Sequence, residues 1–323
     1  MILSFAARLF CVAAMMTGLI HLAAECLCWL ASPLLLRVAA RVPARQRERM
    51  IYLVQLTPLF AALTLTGAIC IPQYLHSEVD RAAERVGWLC VAGAVAVVGW
   101  YGASLLRGLA AACRTMLFAR ACRKTAHGLA MAHAGVPVLT CPDAASGVTL
   151  VGLFRPFILI SERLLRGGLS DGAICVALDH EVAHARHLDN WKLFSLYCLP
   201  TLRLQLSAGQ TWCQLWRSAA EWAADDDAVR GDSARGLVLA QTLVAVARCS
   251  TPERNRVCMA LSCAEAELAA RIHRLIERPC VAAHAWERMC GLAFSLAGLA
   301  CAAALLLLSS HDLLEHLLHL GDS

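Results

Sequence analysis

Charge is scarce in this chain. Asp, Glu, Lys and Arg make up 16% of its 323 residues, against about a quarter in an ordinary soluble domain. Hydrophobic residues make up 59%, and the mean hydropathy is +0.59. A single water-soluble globule is excluded; several membrane spans beside one water-facing domain are expected. A pair of CxxC motifs is missing, and with it a thiolate zinc module. Internal repeats and low-complexity tracts are missing from 107–288 too. So is any long basic run interleaved with aromatics, so the net charge of +5 implies no direct contact with nucleic acid. The 17 cysteines are scattered, many inside apolar runs (Cys11, Cys26, Cys28, Cys70, Cys90, Cys290, Cys301). They read as small buried thiols, since length and hydropathy exclude a small disulfide scaffold.

A helix needs about 20 apolar residues to cross the hydrocarbon core. Four segments qualify: one within 9–36, then 51–71, 86–106 and 289–308. The first is not a cleaved leader, because its apolar stretch is too long and a basic cluster follows it rather than precedes it. Arg37, Arg41, Arg45, Arg47 and Arg49, against Glu48 alone, follow the first span. Arg107, Arg114, Arg120, Arg123 and Lys124 follow the third, and Arg271, Arg274, Arg278 and Arg288 precede the fourth. The loop between the second and third spans carries Glu78, Asp80 and Glu84 against Arg81 and Arg85. The positive-inside rule places the basic segments in the cytoplasm. The expected topology is therefore multi-pass in the cell (inner) membrane, with the N- and C-termini extracytoplasmic. It leaves a cytoplasmic domain over 107–288 and a short extracytoplasmic tail, 309–323, whose His311, His316 and His319 suit an amphipathic segment at the headgroup layer. His21 and Glu25, four apart on the first span, share one helix face and read as a mutually satisfied polar pair.

Inside 107–288 the pattern predicts a basic helix over 107–131 and three short strands over 136–140, 148–154 and 157–160. Pro142-Asp143, Ser146-Gly147 and Arg155-Pro156 separate these strands. Ser170 is placed to cap the helix that follows. Further helices are expected over 211–229, 233–248 and 264–278.

The helix that Ser170 would cap carries "LDHEVAHARHLDN" (178–190). His180 and His184 lie one helical turn apart, so both imidazoles project from one face, as two ligands of a tetrahedral zinc must. Glu181, beside the first, is placed to act as general base on an attacking water. Zinc needs a third protein ligand, and "EWAAD" (221–225) supplies two carboxylates four apart on a second helix. Glu221 can ligate while Asp225 holds an imidazole by its other nitrogen. Pro200 and "SAGQ" (207–210) break the chain between the two helices, so they can fold together. The edge of the preceding sheet offers a place for an extended peptide. No oxyanion-stabilising side chain follows from spacing; His127, His133, His187 and Arg155 are the candidates. The acids Asp225, Asp226 and Asp227 lack the spacing and glycine of a calcium loop.

"LVGLFRPFILISERLL" (150–165), "LSDGAICVALDHEVAHARHLDN" (169–190), "EWAAD" and "ELAARIHRLIERP" (267–279), taken in order with the spans, resemble the membrane metallopeptidases of the BlaR/MecR-type β-lactam sensor-transducers (peptidase family M56, gluzincins). The resemblance implies a mainly α membrane protein with four transmembrane helices and a cytoplasmic α+β zincin-type metallopeptidase domain. It implies Zn2+ held by His180, His184 and Glu221, with Glu181 catalytic and Asp225 supporting a ligand. It also implies a regulatory zinc metalloendopeptidase that answers a signal across the membrane. Its substrate would be itself or a cytoplasmic partner such as a DNA-binding repressor. Asp189-Asn190 matches a pair in the family's motif. Residues 309–323 leave no room for a penicillin-binding sensor domain, so β-lactam sensing by that route is not implied. The alternative is a non-catalytic membrane signal transducer with a structural zinc site.

Overall fold

The computed structural model describes residues 4–77, 87–141, 147–167, 169–202, 211–249 and 265–277; the expected fourth span and the tail lie outside them. The described chain is mostly helical, with three helices long and apolar enough to cross a membrane and one small mixed sheet. The first, α1 (Phe5–Leu30), is capped by Ser4, whose Oγ accepts the Ala7 N–H. It ends before the expected 36 because Pro33 has no N–H to continue the ladder and instead sits in the first turn of α2 (Ser32–Ala39). The helix α3 (Ala44–Leu65), with Pro43 at its N-cap, begins well before the expected 51 and passes through a π-turn at Thr66–Cys70 into α4 (Ile71–Ser77). The third long helix, α5 (Trp88–Thr125), does not stop where its apolar run ends. Its 38 residues reach about 57 Å at 1.5 Å per residue, roughly twice the hydrocarbon core, so its second half is free to carry other structure.

That second half carries the sheet. Strands β1 (His127–His133), β2 (Val136–Cys141), β3 (Val148–Val151) and β4 (Phe157–Ser161) lie in the order β1-β2-β4-β3. β2 and β4 are parallel and the other pairs antiparallel. β1 corrects the expected helix over 107–131. Its "HGLAMAH" is rich in helix-forming residues, but Ala134 and Gly135, at φ 46° and 85°, make a tight turn that folds it back on β2. Two consecutive positive φ values suit the twist of a hairpin, and strand pairing overrides local preference. One face of the sheet buries Val138, Leu150, Ile158 and Ile160 against Leu178 and Val182. The other buries Cys141, Val151, Phe157 and Leu159 against Ala119 and Cys122 of α5.

The remaining helices are α6 (Glu162–Arg166), α7 (Asp171–His187), α8 (Asp189–Cys198), α9 (Trp212–Val229), α10 (Ser233–Cys249) and α11 (Glu265–Glu277). Ser170 caps α7 as expected, its Oγ accepting the Ala173 N–H at 3.2 Å. Leu188, left-handed at φ 57°, turns the chain directly into α8. Thr211 and Gln214 form a capping box at the start of α9. Leu193 and Leu196 of α8 and Leu215 and Trp216 of α9 form one core with Ile51 of α3 and Ala112 of α5. The two helices therefore rest on the basic ends of the spans. Cys70, Cys90, Cys122 and Cys141 are buried thiols as expected, whereas Cys26, Cys113 and Cys175 are exposed.

Gly108 lets α8 approach α5. A Cβ there would overlap Cys198 Sγ and lie 3.1 Å from the Cys198 backbone nitrogen. Gly108→Ala is expected to lower stability by about 1–3 kcal/mol through overpacking, although alanine is the better helix former. The thermal unfolding midpoint in detergent reads this, with Gly102→Ala as control because a Cβ at Gly102 meets nothing. Equal midpoints for both variants would show that the α5–α8 contact yields at no cost.

Candidate metal centre

α7 and α9 pack side by side and bring His180, His184 and Glu221 together, with one ligand atom of each within 4.8 Å of the others. His180 Nε2 lies 3.1 Å from His184 Nε2 and 3.4 Å from Glu221 Oε2; His184 Nε2 lies 3.8 Å from Glu221 Oε1. All three side chains are buried. His184 Nδ1 meets Asp189 Oδ2 at 2.7 Å. This partner assigns the proton to Nδ1 and leaves the Nε2 lone pair facing the cluster. His180 Nδ1 faces Asp225 Oδ1 at 3.1 Å, in an ion-pair contact too oblique for a formed hydrogen bond. With both Nδ1 atoms turned to carboxylates, the two Nε2 atoms and a carboxylate converge on one point. That is the donor set of a zinc site with three protein ligands and an open fourth position, so the residues fit the metal.

The electrostatics point the same way. Burial opposes a charge on His180, yet Asp225 and Glu221 outweigh it and raise its pKa to about 10. Burial opposes a charge on His184 too, and Asp189 and Glu221 raise it. Burial would raise Glu221, but Arg271 and the two imidazoles hold it at about 2. Asp225 is likewise buried and is held below the carboxylate range by Arg271 and His180. The centre therefore attracts positive charge, from protons or from a metal. Glu181, also buried, is raised by that burial, partly offset by both histidines and by Leu150. The Leu150 N–H on edge strand β3 donates to Glu181 Oε2 at 2.6 Å.

Three contributors, Arg271, Lys192 and Glu48, were not predicted from the sequence, and Asp189 was singled out there without a role. Arg271 of α11 reaches Glu221 Oε2 with Nη1 at 2.5 Å and Asp225 with Nε and Nη2 at 2.9 and 2.6 Å. Asp189 gives the Asp189-Asn190 pair its role: it holds His184, while Asn190 Nδ2 donates to the Gly152 carbonyl at 2.8 Å. Beyond Asp189, Lys192 Nζ lies 3.3 Å from Asp189 Oδ1 and 2.8 Å from Glu48 Oε1. Glu48 Oε1 also accepts the Trp216 Nε1–H at 2.7 Å. A buried polar chain thus runs from His184 to α3. Its sequence signal is Glu48, the one acid in the cluster 37–49. Lys192→Met is expected to weaken zinc binding about 10–100-fold, as loss of an outer partner commonly does. Competition with a chromophoric chelator measures it, and an unchanged affinity would mean that Asp189 alone orients His184.

Two of the expected oxyanion candidates are engaged elsewhere. His133 meets Asp179 at 2.8 Å, and His187 meets Asp227 at 2.8 Å. Arg155 is exposed, its carbonyl accepting from Arg123, and the His127 side chain lies outside the described residues. His133, Cys175 and Asp179 form a second close group, but Arg235 already occupies Asp179 at 2.6 Å. His21 and Glu25 do not satisfy one another as expected: His21 turns to the Tyr101 hydroxyl and Glu25 to the Leu202 N–H. Comparison with protein-family models, curated proteins and solved structures finds no match.

Proposed function

We propose that this chain is a membrane-embedded zinc metalloendopeptidase of the HExxH…ExxAD type. In this reading it is a regulatory protease, its centre on the cytoplasmic side by the positive-inside rule, cutting itself or a partner such as a DNA-binding repressor. One observation carries the reading: His180, His184 and Glu221 converge as electron-pair donors with Glu181 beside them. Zinc, when bound, polarises the scissile carbonyl and makes water a stronger nucleophile at neutral pH. His180, His184 and Glu221 hold the ion, and Asp189 and Asp225 orient the two rings. Glu181 takes a proton from the attacking water and delivers it to the leaving amine. A substrate strand laid along β3 would accept the Leu150 N–H and release Glu181 for that task.

His180, Glu181, His184 and Glu221 are all less than a tenth exposed. A protease held closed until signalled suits this burial. The same burial favours a second reading, a non-catalytic transducer braced by zinc. The full chain in detergent is expected to hold about one zinc and to yield self-cleavage fragments that stop on chelation and resume when zinc returns. Zinc without fragments would favour the transducer, and a chain without zinc would remove both readings.

A further inference from the structure

A cavity of about 290 Å³ lies between the spans and the α8–α9 pair, apart from the metal centre. It is at the small end of the range for small-molecule sites. Its walls come from α1, α3, α5, α8 and α9 and carry three charged side chains: Glu25, Arg107 and Arg217. Glu25 Oε1 accepts the Leu202 N–H at 2.8 Å, but Oε2 is buried with no hydrogen-bond partner. Arg217 Nη2 donates to the Tyr197 hydroxyl at 2.8 Å, and its Nε is buried with no partner. Arg107 Nη2 donates only to neutral oxygens, Ser104 Oγ at 3.2 Å and the Leu199 carbonyl at 3.3 Å. Among the described residues none of the three meets an opposite charge. Glu25 and Arg217 are half-buried while Arg107 is exposed; unpaired charges withdrawn from water around one space are costly, and an occupant bearing both signs removes that cost.

Position narrows the occupant. Glu25 lies just before the end of α1, and Arg107 lies where the apolar run of α5 gives way to its basic half. The cavity thus sits at the headgroup level on the basic side of the spans, and Trp29 and Trp212 line it as interfacial aromatics do. A phosphate suits two guanidiniums. Glu25 Oε2 lacks a donor; a primary ammonium offers an N–H to it and a quaternary ammonium does not. We propose that this cavity binds the headgroup of a phospholipid carrying a primary ammonium, of the phosphatidylethanolamine kind, with its phosphate between Arg107 and Arg217 and its ammonium on Glu25. Arg217 stands one helical turn before Glu221 on α9, so the occupant bears on the helix that carries a candidate ligand. The binding site itself does not depend on the proteolytic reading.

Native mass spectrometry of the full chain tests this, with phosphatidylethanolamine and phosphatidylcholine of identical acyl chains offered in equal amounts. The wild type is expected to retain one phosphatidylethanolamine with a preference of about tenfold or more, the worth of a charged hydrogen bond. Glu25→Gln is expected to abolish the preference, and Arg217→Met to weaken both lipids. Equal retention of the two lipids by the wild type would overturn the proposal without reference to any variant. Displacement of the lipid by equimolar soluble phosphoethanolamine would overturn the lipid as the source of the headgroup. Unchanged preference in Glu25→Gln that is still folded would overturn the assignment of the ammonium.

Discussion

Glu181→Gln is expected to keep its zinc and its fold and to lose peptide-bond cleavage by about 100- to 10,000-fold, the usual worth of a general base. The two side chains have the same shape, so packing is retained. The amide oxygen of glutamine still accepts the Leu150 N–H that now reaches Glu181 Oε2, so the tie between α7 and β3 survives. Glu181 is also not one of the three converging donors, so zinc binding has no reason to fall. What the amide lacks is the capacity to take a proton. Zinc per chain, the thermal unfolding midpoint and the rate of fragment formation, measured on wild type and variant together, separate these effects. A variant that cuts as fast as a zinc-dependent wild type would show that another group is the base. Equal signalling output from both proteins, with zinc bound in both, would favour the braced transducer.

Much of the candidate centre was legible because helical periodicity is local. A spacing of four on α7 and again on α9 puts His180 with His184 and Glu221 with Asp225, whatever the rest of the chain does. Ser170 as a cap and the break before Thr211 were equally local signals. The three long apolar helices were legible from hydropathy, but their ends were not, because Pro33 and Pro43 set helix boundaries that an apolar count ignores. The strand His127–His133 was missed since its own residues favour a helix and only pairing with β2 makes it a strand. Lys192, Glu48 and Arg271 were missed for a different reason. Each acts through a partner distant in sequence, and an ion pair between α3 and α8 or between α9 and α11 leaves no periodic trace. Arg271 read only as one of several basic residues that fix topology.

Arg271→Met is expected to destabilise the metal-free chain by about 3–5 kcal/mol, the usual cost of breaking a buried ion pair from one side. The guanidinium is buried and faces two carboxylates, Glu221 at 2.5 Å and Asp225 at 2.6 Å, which are buried as well. Methionine fills similar space and returns no charge, so both carboxylates are left with His180 as their nearest cation. Zinc changes the outcome. An ion on Glu221 supplies positive charge where Arg271 did, so the zinc-loaded variant should lose less than the metal-free one. Zinc should accordingly raise the unfolding midpoint further in Arg271→Met than in wild type, which is measured by melting both proteins in chelator and in excess zinc. Equal losses in the two conditions would assign Arg271 to packing alone, and no loss in chelator would mean that the carboxylates are neutralised by another route. By linkage, a group that a metal would replace also opposes that metal, so in the proposed reading zinc affinity would be set partly by how firmly Arg271 holds Glu221. Arg271 thus lets α7, α9 and α11 assemble the donors before any ion arrives. A centre assembled in this way would be preformed, and its affinity would depend on a helix that contributes none of the three converging donors.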